Sequence, residues 1–257
     1  MLLRKKKSEN LIEALKDNVL KAVYIAQKDA KIYFFKGPNI TFGLLFPAII
    51  YLAFSVGRTA ETSLIVPGLV AMSSLFGAGA IESIALPLER AKGTFDRLLA
   101  APISLTTIVV GKALGGFFFG LFLSLAYMLV LLLIPGAGIA NAFLFAVGVV
   151  LSALAFSALG VCLSTPFRDV PQAMPPATLI RVAMVFLGGV FIPIAALPGF
   201  IQVISYLLPI TYAVDLLQQA TTGHLIGQGL AIDILALLLF SVIFFVIATL
   251  ALKKTLR

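Results

Sequence analysis

Charge is what this chain has least of. Only 12% of its 257 residues are Asp, Glu, Lys or Arg, where soluble domains carry roughly a quarter. Hydrophobic residues make up 61%, and the mean hydropathy is +1.10. A globule in water cannot cover that much apolar surface, so most of the chain must face lipid. Tryptophan is absent, and there is one cysteine, Cys162, and one histidine, His224. A single cysteine excludes an intrachain disulfide, and inside an apolar run it reads as a small packing residue. A single histidine with no cysteine beside it offers no metal centre. No catalytic triad or paired-carboxylate site is legible either. The phosphate-binding loop G-x-x-x-x-G-K-[ST] is also missing. The one Gly-Lys pair, Gly111-Lys112, lacks the preceding glycine and runs into an apolar stretch.

Long apolar runs, by contrast, are abundant. A spanning helix needs about 20 predominantly apolar residues, and six segments qualify: 38–57, 63–88, 105–134, 140–165, 175–197 and 230–252. Their length and their Leu, Phe and Ala content favour helices over the roughly ten-residue alternation of outer-membrane strands. The first 36 residues are polar and charged, which does not fit a cleavable leader. The expectation is an all-α membrane protein with an N-terminal segment (residues 1–36) followed by a six-span domain (residues 37–257).

The net charge of +8 is unevenly placed. Nine Lys and Arg precede residue 37. Arg90, Lys92, Arg97 and Lys112 surround the connection between the second and third spans. Arg168 and Arg181 flank the next connection on that side, and Lys253, Lys254 and Arg257 end the chain. The opposite side keeps only Arg58. This split places both termini in the cytoplasm and accounts for the basicity without nucleic acid.

Residues 8–35 read as an amphipathic helix. Ser8 is a candidate N-cap, and Leu11, Leu15, Val19, Ala22, Ala26, Ala30 and Tyr33 recur at helical spacing. Lys16, Lys21, Lys28 and Lys31 fall on other faces, free for water or acidic headgroups. Such a helix lies in the membrane interface or, alternatively, in the cytoplasm. Gly111, Gly115, Gly116 and Gly120 give overlapping small-xxx-small spacings in the third span, which suit close helix approach within one chain or between two. Pro175, Pro176 and Pro193 bracket the fifth span, with Gly188-Gly189 inside it. The outer segment 198–229 is apolar but broken by Pro198, Pro209 and Gly223, so short re-entrant or interfacial helices are expected, with Asp215 and Asp233 wet at that level. Glu82 and Arg181 lie nearer the hydrocarbon, where charges pair, snorkel or line a pathway.

One charged insert interrupts the apolar pattern: "LPLERAKGTFDRLLAAPIS", residues 86–104. Pro87 disturbs the end of the second span and Gly93 permits a sharp turn. Thr94 is placed to cap a new helix, and Asp96 suits its first turn. Phe95, Leu98 and Leu99 share one face, and Pro102 stops the helix. A loop needed only for topology requires charge but no apolar face. An exposed apolar face on a short helix suits a partner's groove.

The stretch "LPLERAKGTFDRLLAAPISLTTIVVGK" resembles the signature of ABC-2 type transporter permeases: an ER pair, GT, a leucine pair, Pro-x-Ser and Gly-Lys. "LLPITYAVDLLQQATTG" is similar to that family's Pro-x-x-Tyr-x-x-Asp pattern before the last span, here Pro209, Tyr212 and Asp215. Gln218-Gln219 departs from it, since relatives often carry arginine there. The resemblance implies that the insert is a cytoplasmic coupling helix seated on an ATP-binding subunit. Glu89, Arg90, Gly93, Thr94, Phe95, Asp96 and Leu98 would form or support that contact, and the N-terminal helix would act as a connecting helix. It further implies two permease copies as a homodimer and two ATP-binding subunits carrying ATP and Mg. The cargo would be an exported drug, lipid or lipid-linked glycan, and the location the plasma or inner membrane. A passive channel or scramblase would need no ATPase. An intramembrane enzyme would need convergent polar groups, and Glu82 is the one carboxylate near that depth.

Overall fold

The computed structural model describes residues 2–55, 62–131, 138–224 and 227–256. Arg58, Arg257 and the far ends of the first and third expected spans lie outside them. Every regular element among the described residues is a helix, with no strand. Helix α1 covers Leu2–Tyr33. Then follow α2 (Gly37–Ile40), a π-helical segment (Thr41–Leu45) and α3 (Phe46–Ser55). Next come α4 (Thr62–Ala91), α5 (Thr94–Ala100), α6 (Leu105–Leu131), α7 (Ala142–Ser164) and α8 (Val170–Leu187). A 3-10 turn (Ile194–Ala196), α9 (Gly199–Ser205), α10 (Pro209–Thr222) and α11 (Leu230–Thr255) complete the chain.

Five of these helices, α4, α6, α7, α8 and α11, are long and apolar enough to cross a membrane. A sixth crossing exists if α9 and α10, bent by 86° at their break, count as one broken span. The first apolar run is helical from Gly37 to Ser55 but divided into three pieces. Its π-helical turn sits just before Pro47, which has no N–H for the ladder. The preceding N–H, on Phe46, bonds instead to the carbonyl of Thr41.

Helix α4 is the centre of the bundle. It packs on α6, α7, α8 and α10, while α7 also packs on α11 and α1 lies along α6. The most apolar stretch of α4 is 94% buried, whereas that of α11 is 17% buried. Among strongly hydrophobic helices only the second kind has a wide face left for lipid. The main core joins Val70, Met72, Leu75 and Phe76 of α4 to Phe156 of α7, Met184 of α8 and Leu216 of α10. A second core, near α5, joins Ile25, Leu86, Phe95, Ile108, Val161 and Leu252.

Close approach in this bundle depends on glycine. A Cβ on Gly111 would meet the Ala22 carbonyl of α1 at 2.9 Å, and one on Gly115 would lie 3.4 Å from the Asp29 Cβ. Gly116 and Gly120 face Ala78 of α4, and Gly160 of α7 faces Gly79. The four glycines of α6 are therefore used within the chain, against α1 on one side and α4 on the other. Nothing in their spacing is left over for a second copy.

Several boundaries differ from expectation. Helix α1 starts at Leu2 and runs through Ser8, so Ser8 is not its cap. Helix α4 continues through Pro87 to Ala91. Helix α8 begins at Val170, where the Asp169 carboxylate accepts from the Gln172 N–H at 2.9 Å, and takes Pro175 and Pro176 into its interior. It ends at Gly188, with Gly189 at φ 82°, so the glycine pair terminates the helix rather than bending it.

The short helices before α11 are present as expected, but α10 is not a surface cap. It inserts between α4, α7 and α11. Its last carbonyls, at Ala220 and Thr221, accept from the backbone N–H groups of Asn141 and Ala140 at 2.9 and 3.3 Å. Internal partners of this kind are what irregular backbone requires at membrane depth. Asp215 and Asp233 are consequently buried, not wet. The Gln219 side-chain amide donates to Asp233 Oδ2 at 2.7 Å.

Candidate functional site

The residues that carry chemistry gather at the end of the bundle holding α5 and the last turn of α11. Gly93, at φ 67°, makes the turn between α4 and α5, a backbone conformation open to glycine and strained for other residues. It also takes the N-cap position itself. Thr94 is the first helical residue, not the cap, and its hydroxyl donates to the Glu89 carbonyl at 3.3 Å. Ala101, before Pro102, is extended (φ −74°, ψ 152°) and ends the helix as the following proline requires.

The apolar face of α5 is turned inward. Phe95 is 2% exposed and packs in the second core, with Leu98 and Leu99 half-buried beside it. The expected open hydrophobic docking face is therefore absent, because side chains of α1, α4, α6 and α11 close over it in the second core. What α5 and the turn before it present outward is polar: Lys92, Thr94, Asp96 and Arg97 are exposed.

Two of the expected partner contacts are committed inside the chain. The Arg90 guanidinium donates through Nη1 to the carbonyls of Thr165 (2.5 Å) and Phe167 (2.8 Å), and through Nη2 to the Thr255 hydroxyl (3.3 Å). Its carbon lies 5.3 Å from the centre of the Phe95 ring. Glu89 is buried and ion-paired. Its Oε2 lies 2.8 Å from the Lys112 ammonium, and its Oε1 pairs with Lys28.

Lys112 belongs to a buried charge cluster that joins α1, α4 and α6. Its ammonium is also 2.9 Å from Asp29 Oδ2, and Lys28 lies 3.1 Å from Asp29 Oδ1. Lys112 and Asp29 are both essentially without solvent contact. Burial pushes the Asp29 carboxyl above its ordinary range, a shift that the Lys112 and Lys28 charges oppose. The neighbouring Tyr33 hydroxyl is pushed up to about 12, first by burial and then by the Glu89 charge. The sequence places Lys112 inside the third span and counts it with the cations around the preceding connection; it lies in α6 and is a buried structural cation paired with Asp29 and Glu89. Asp29 was missed altogether. The available signal was its position beside Ala22, Ile25 and Ala26 on the packed face of α1.

Further hydrogen bonds fasten α1 to the same region. Lys21 donates to the Pro102 carbonyl at 3.2 Å, and the Thr107 hydroxyl to Asn18 Oδ1 at 3.2 Å. Lys21 and Lys28 are therefore not free for headgroups. The opposite face of α1 leaves Leu15, Val19, Leu20 and Tyr24 exposed.

Glu82 and Arg181 are both buried, and no ion pair joins them among the described residues. Glu82 sits by Gly115 at the edge of the Lys112 cluster, and its carboxyl oxygens have no hydrogen-bond partner there. Arg181 of α8 donates from Nη1 to Ser83 Oγ at 3.1 Å and lies 5.8 Å from the Phe76 ring centre. Glu82 of α4 is directed toward α6, whereas Arg181 reaches α4 from α8. At the far end, Pro209 starts α10, the Tyr212 hydroxyl donates to the Tyr206 carbonyl at 2.7 Å, and the Asp215 carboxylate packs against Gly227.

Similarity to known proteins follows this architecture. The probable multidrug ABC transporter permease YbhR of Escherichia coli (strain K12) is 27% identical over 158 residues, 60% of this chain and 42% of that protein. Nodulation protein J of Sinorhizobium fredii is 30% identical over 192 residues, covering 74% of this chain and 72% of the relative. The inner membrane transport permease YadH of Escherichia coli (strain K12) is 28% identical over 151 residues, 59% of each chain. The chain thus spans less than half of YbhR's length and somewhat over half of YadH's. The sequence profile described as ABC-2 type transporter matches residues 26–222, from the packed half of α1 to the end of α10. This multi-pass membrane protein belongs to the ABC-2 type transporter family.

Proposed function

We propose that this chain is the membrane-spanning permease subunit of an ATP-driven exporter, and that α5 is the element through which a separate ATP-binding subunit acts on it. The observation that carries this reading is the construction of α5 itself. The helix is fixed by Gly93 and Pro102, its apolar face is built into the bundle through Phe95, and its polar face is outward. A helix held in this way moves with the spans beneath it, which a loose topogenic loop would not do. The docking surface is then Lys92, Thr94, Asp96 and Arg97, with Gly93 setting the angle.

Both termini and α5 lie in the cytoplasm, in keeping with the bias of Lys and Arg toward that side, and the membrane is the inner or plasma membrane. Two copies of the chain pair with two ATP-binding subunits, which supply ATP and Mg. ATP draws those subunits together and the α5 helices follow. The spans then favour a second arrangement by the difference in binding free energy between the two states. The apolar spans suit an amphipathic drug, lipid or lipid-linked glycan better than a small ion. Two relatives carry multidrug or transport permease in their names.

The test is co-purification from the native host in mild detergent, with Arg97→Glu and Lys92→Glu as variants. An ATP-binding chain recovered in equal amount with the wild type and lost with the variants supports the reading. Intact permease recovered alone in several detergents refutes it and favours a passive scramblase or channel.

A further inference from the structure

The turn before α5 carries one side chain that reaches three other elements at once. Arg90, in the last turn of α4, donates to the carbonyl of Thr165, the C-cap of α7, to that of Phe167 just beyond it, and to the hydroxyl of Thr255 in the last turn of α11. Its guanidinium also covers the ring of Phe95 in α5. The final carbonyls of a helix have no intrahelical partner and sit at the negative end of its dipole. A planar, always-charged fork is suited to hold one of them together with a carbonyl just beyond the helix, while another donor reaches elsewhere.

We propose that Arg90 is a positioning residue, a strap that makes the α4–α5 turn, the end of α7 and the end of α11 move as one body. This deepens the coupling reading above and rests on it for its role in transport. It also reassigns Arg90, which the resemblance placed at the partner contact. Helix α5 has its close backbone neighbours on α4, and Phe95 supplies a non-directional apolar seat. The directional tie from the coupling turn to the fourth and last long spans is the Arg90 fork. A cleft of about 580 Å³ lies beside it, lined by Arg90, Phe95, Asp96, Arg168, Asp169 and Thr255. This open space allows α5 to separate from the α7 and α11 ends once the strap is cut.

The experiment measures a spin-label distance in lipid nanodiscs, in a Cys162→Ala background with Ala100→Cys on α5 and Lys253→Cys on α11. In the unliganded chain the wild-type distribution is narrow. Arg90→Gln broadens it about twofold by freeing local opening, and Arg90→Lys, able to serve one carbonyl at a time, falls between them. With the ATP-binding subunit present, ATP and vanadate leave the distance unchanged in the wild type and shift it in Arg90→Gln, where α5 moves alone. Equal widths in the three unliganded chains overturn the strap, as does an equal nucleotide-induced shift in wild type and Arg90→Gln. Should Arg90→Gln not give a monodisperse chain, Thr255→Val removes only the α11 contact and must still broaden the distribution. If no ATP-binding chain associates with the wild type, the transport reading falls while the unliganded widths still decide the strap.

Discussion

Replacing Lys112 with methionine tests the buried charge cluster at its centre. The ammonium is 2.9 Å from Asp29 Oδ2 and 2.8 Å from Glu89 Oε2, with almost no solvent contact. At an effective dielectric near 20, each contact of that length is worth about 6 kcal/mol of attraction. Against this stand a desolvation cost of several kcal/mol per buried ion and the mutual repulsion of the two carboxylates. Removing one partner of a buried pair typically costs ~3–5 kcal/mol, because an uncompensated charge is left behind. Here Lys28 still reaches both carboxylates, which places the expected loss near the lower figure, about 3 kcal/mol. For a chain of this size that corresponds to a fall in the thermal midpoint of roughly 6–12 °C, read by differential scanning fluorimetry in detergent. Asp29→Asn in the Lys112→Met background should recover part of the loss, since it removes one of the stranded charges. A midpoint within 1 °C or so of wild type would refute the argument. It would mean that the cluster breaks even against a well-packed apolar side chain.

Three further outcomes follow from the same structure. Gly160→Val should reduce folded yield sharply, because even its Cβ would lie 2.7 Å from the Gly79 carbonyl and 2.8 Å from the Gly79 Cα, backbone that cannot turn aside; the expected cost is ~3 kcal/mol or more, measured by the monodisperse fraction on size exclusion. Phe95→Asp should lower stability of the isolated chain by ~3 kcal/mol or more, while Arg97→Glu should leave the thermal midpoint unchanged, since one side chain is in the core and the other in water. Tyr33 is raised from 10.0 to about 12. Its neutral form therefore contributes stability that is full below pH 10 and lost as pH rises through 12. Tyr33→Phe should abolish that part of the alkaline destabilisation, on the order of 2 kcal/mol, in paired melting curves.

Reading the insert 86–104 shows how far local sequence reaches. Gly93 and Pro102 marked the turn and the stop correctly, because φ above zero and the restriction before proline are properties of one or two residues. The apolar face of Phe95, Leu98 and Leu99 was also legible, since it follows from helical spacing alone. Its direction was not. Helical periodicity says that a face is apolar and leaves open whether a neighbour or a partner covers it. Ile25, Ile108 and Leu252, which supply that cover, come from three distant parts of the chain.

The sequence by itself determined that the protein lives in a membrane, that it is helical, and where most of its apolar runs lie. These conclusions need only hydropathy summed over about 20 residues and the requirement that backbone polar groups be satisfied in lipid. Tertiary structure decided what each rare polar group does. Lys112 pairs with Asp29 and Glu89, Arg90 bonds to the ends of α7 and α11, and Asp233 is an internal partner of Gln219 instead of a wet carboxylate. The glycines of α6 were spent within the chain. In each case the deciding quantity is a distance of about 3 Å between residues far apart in sequence, and such a distance exists only once the helices have packed.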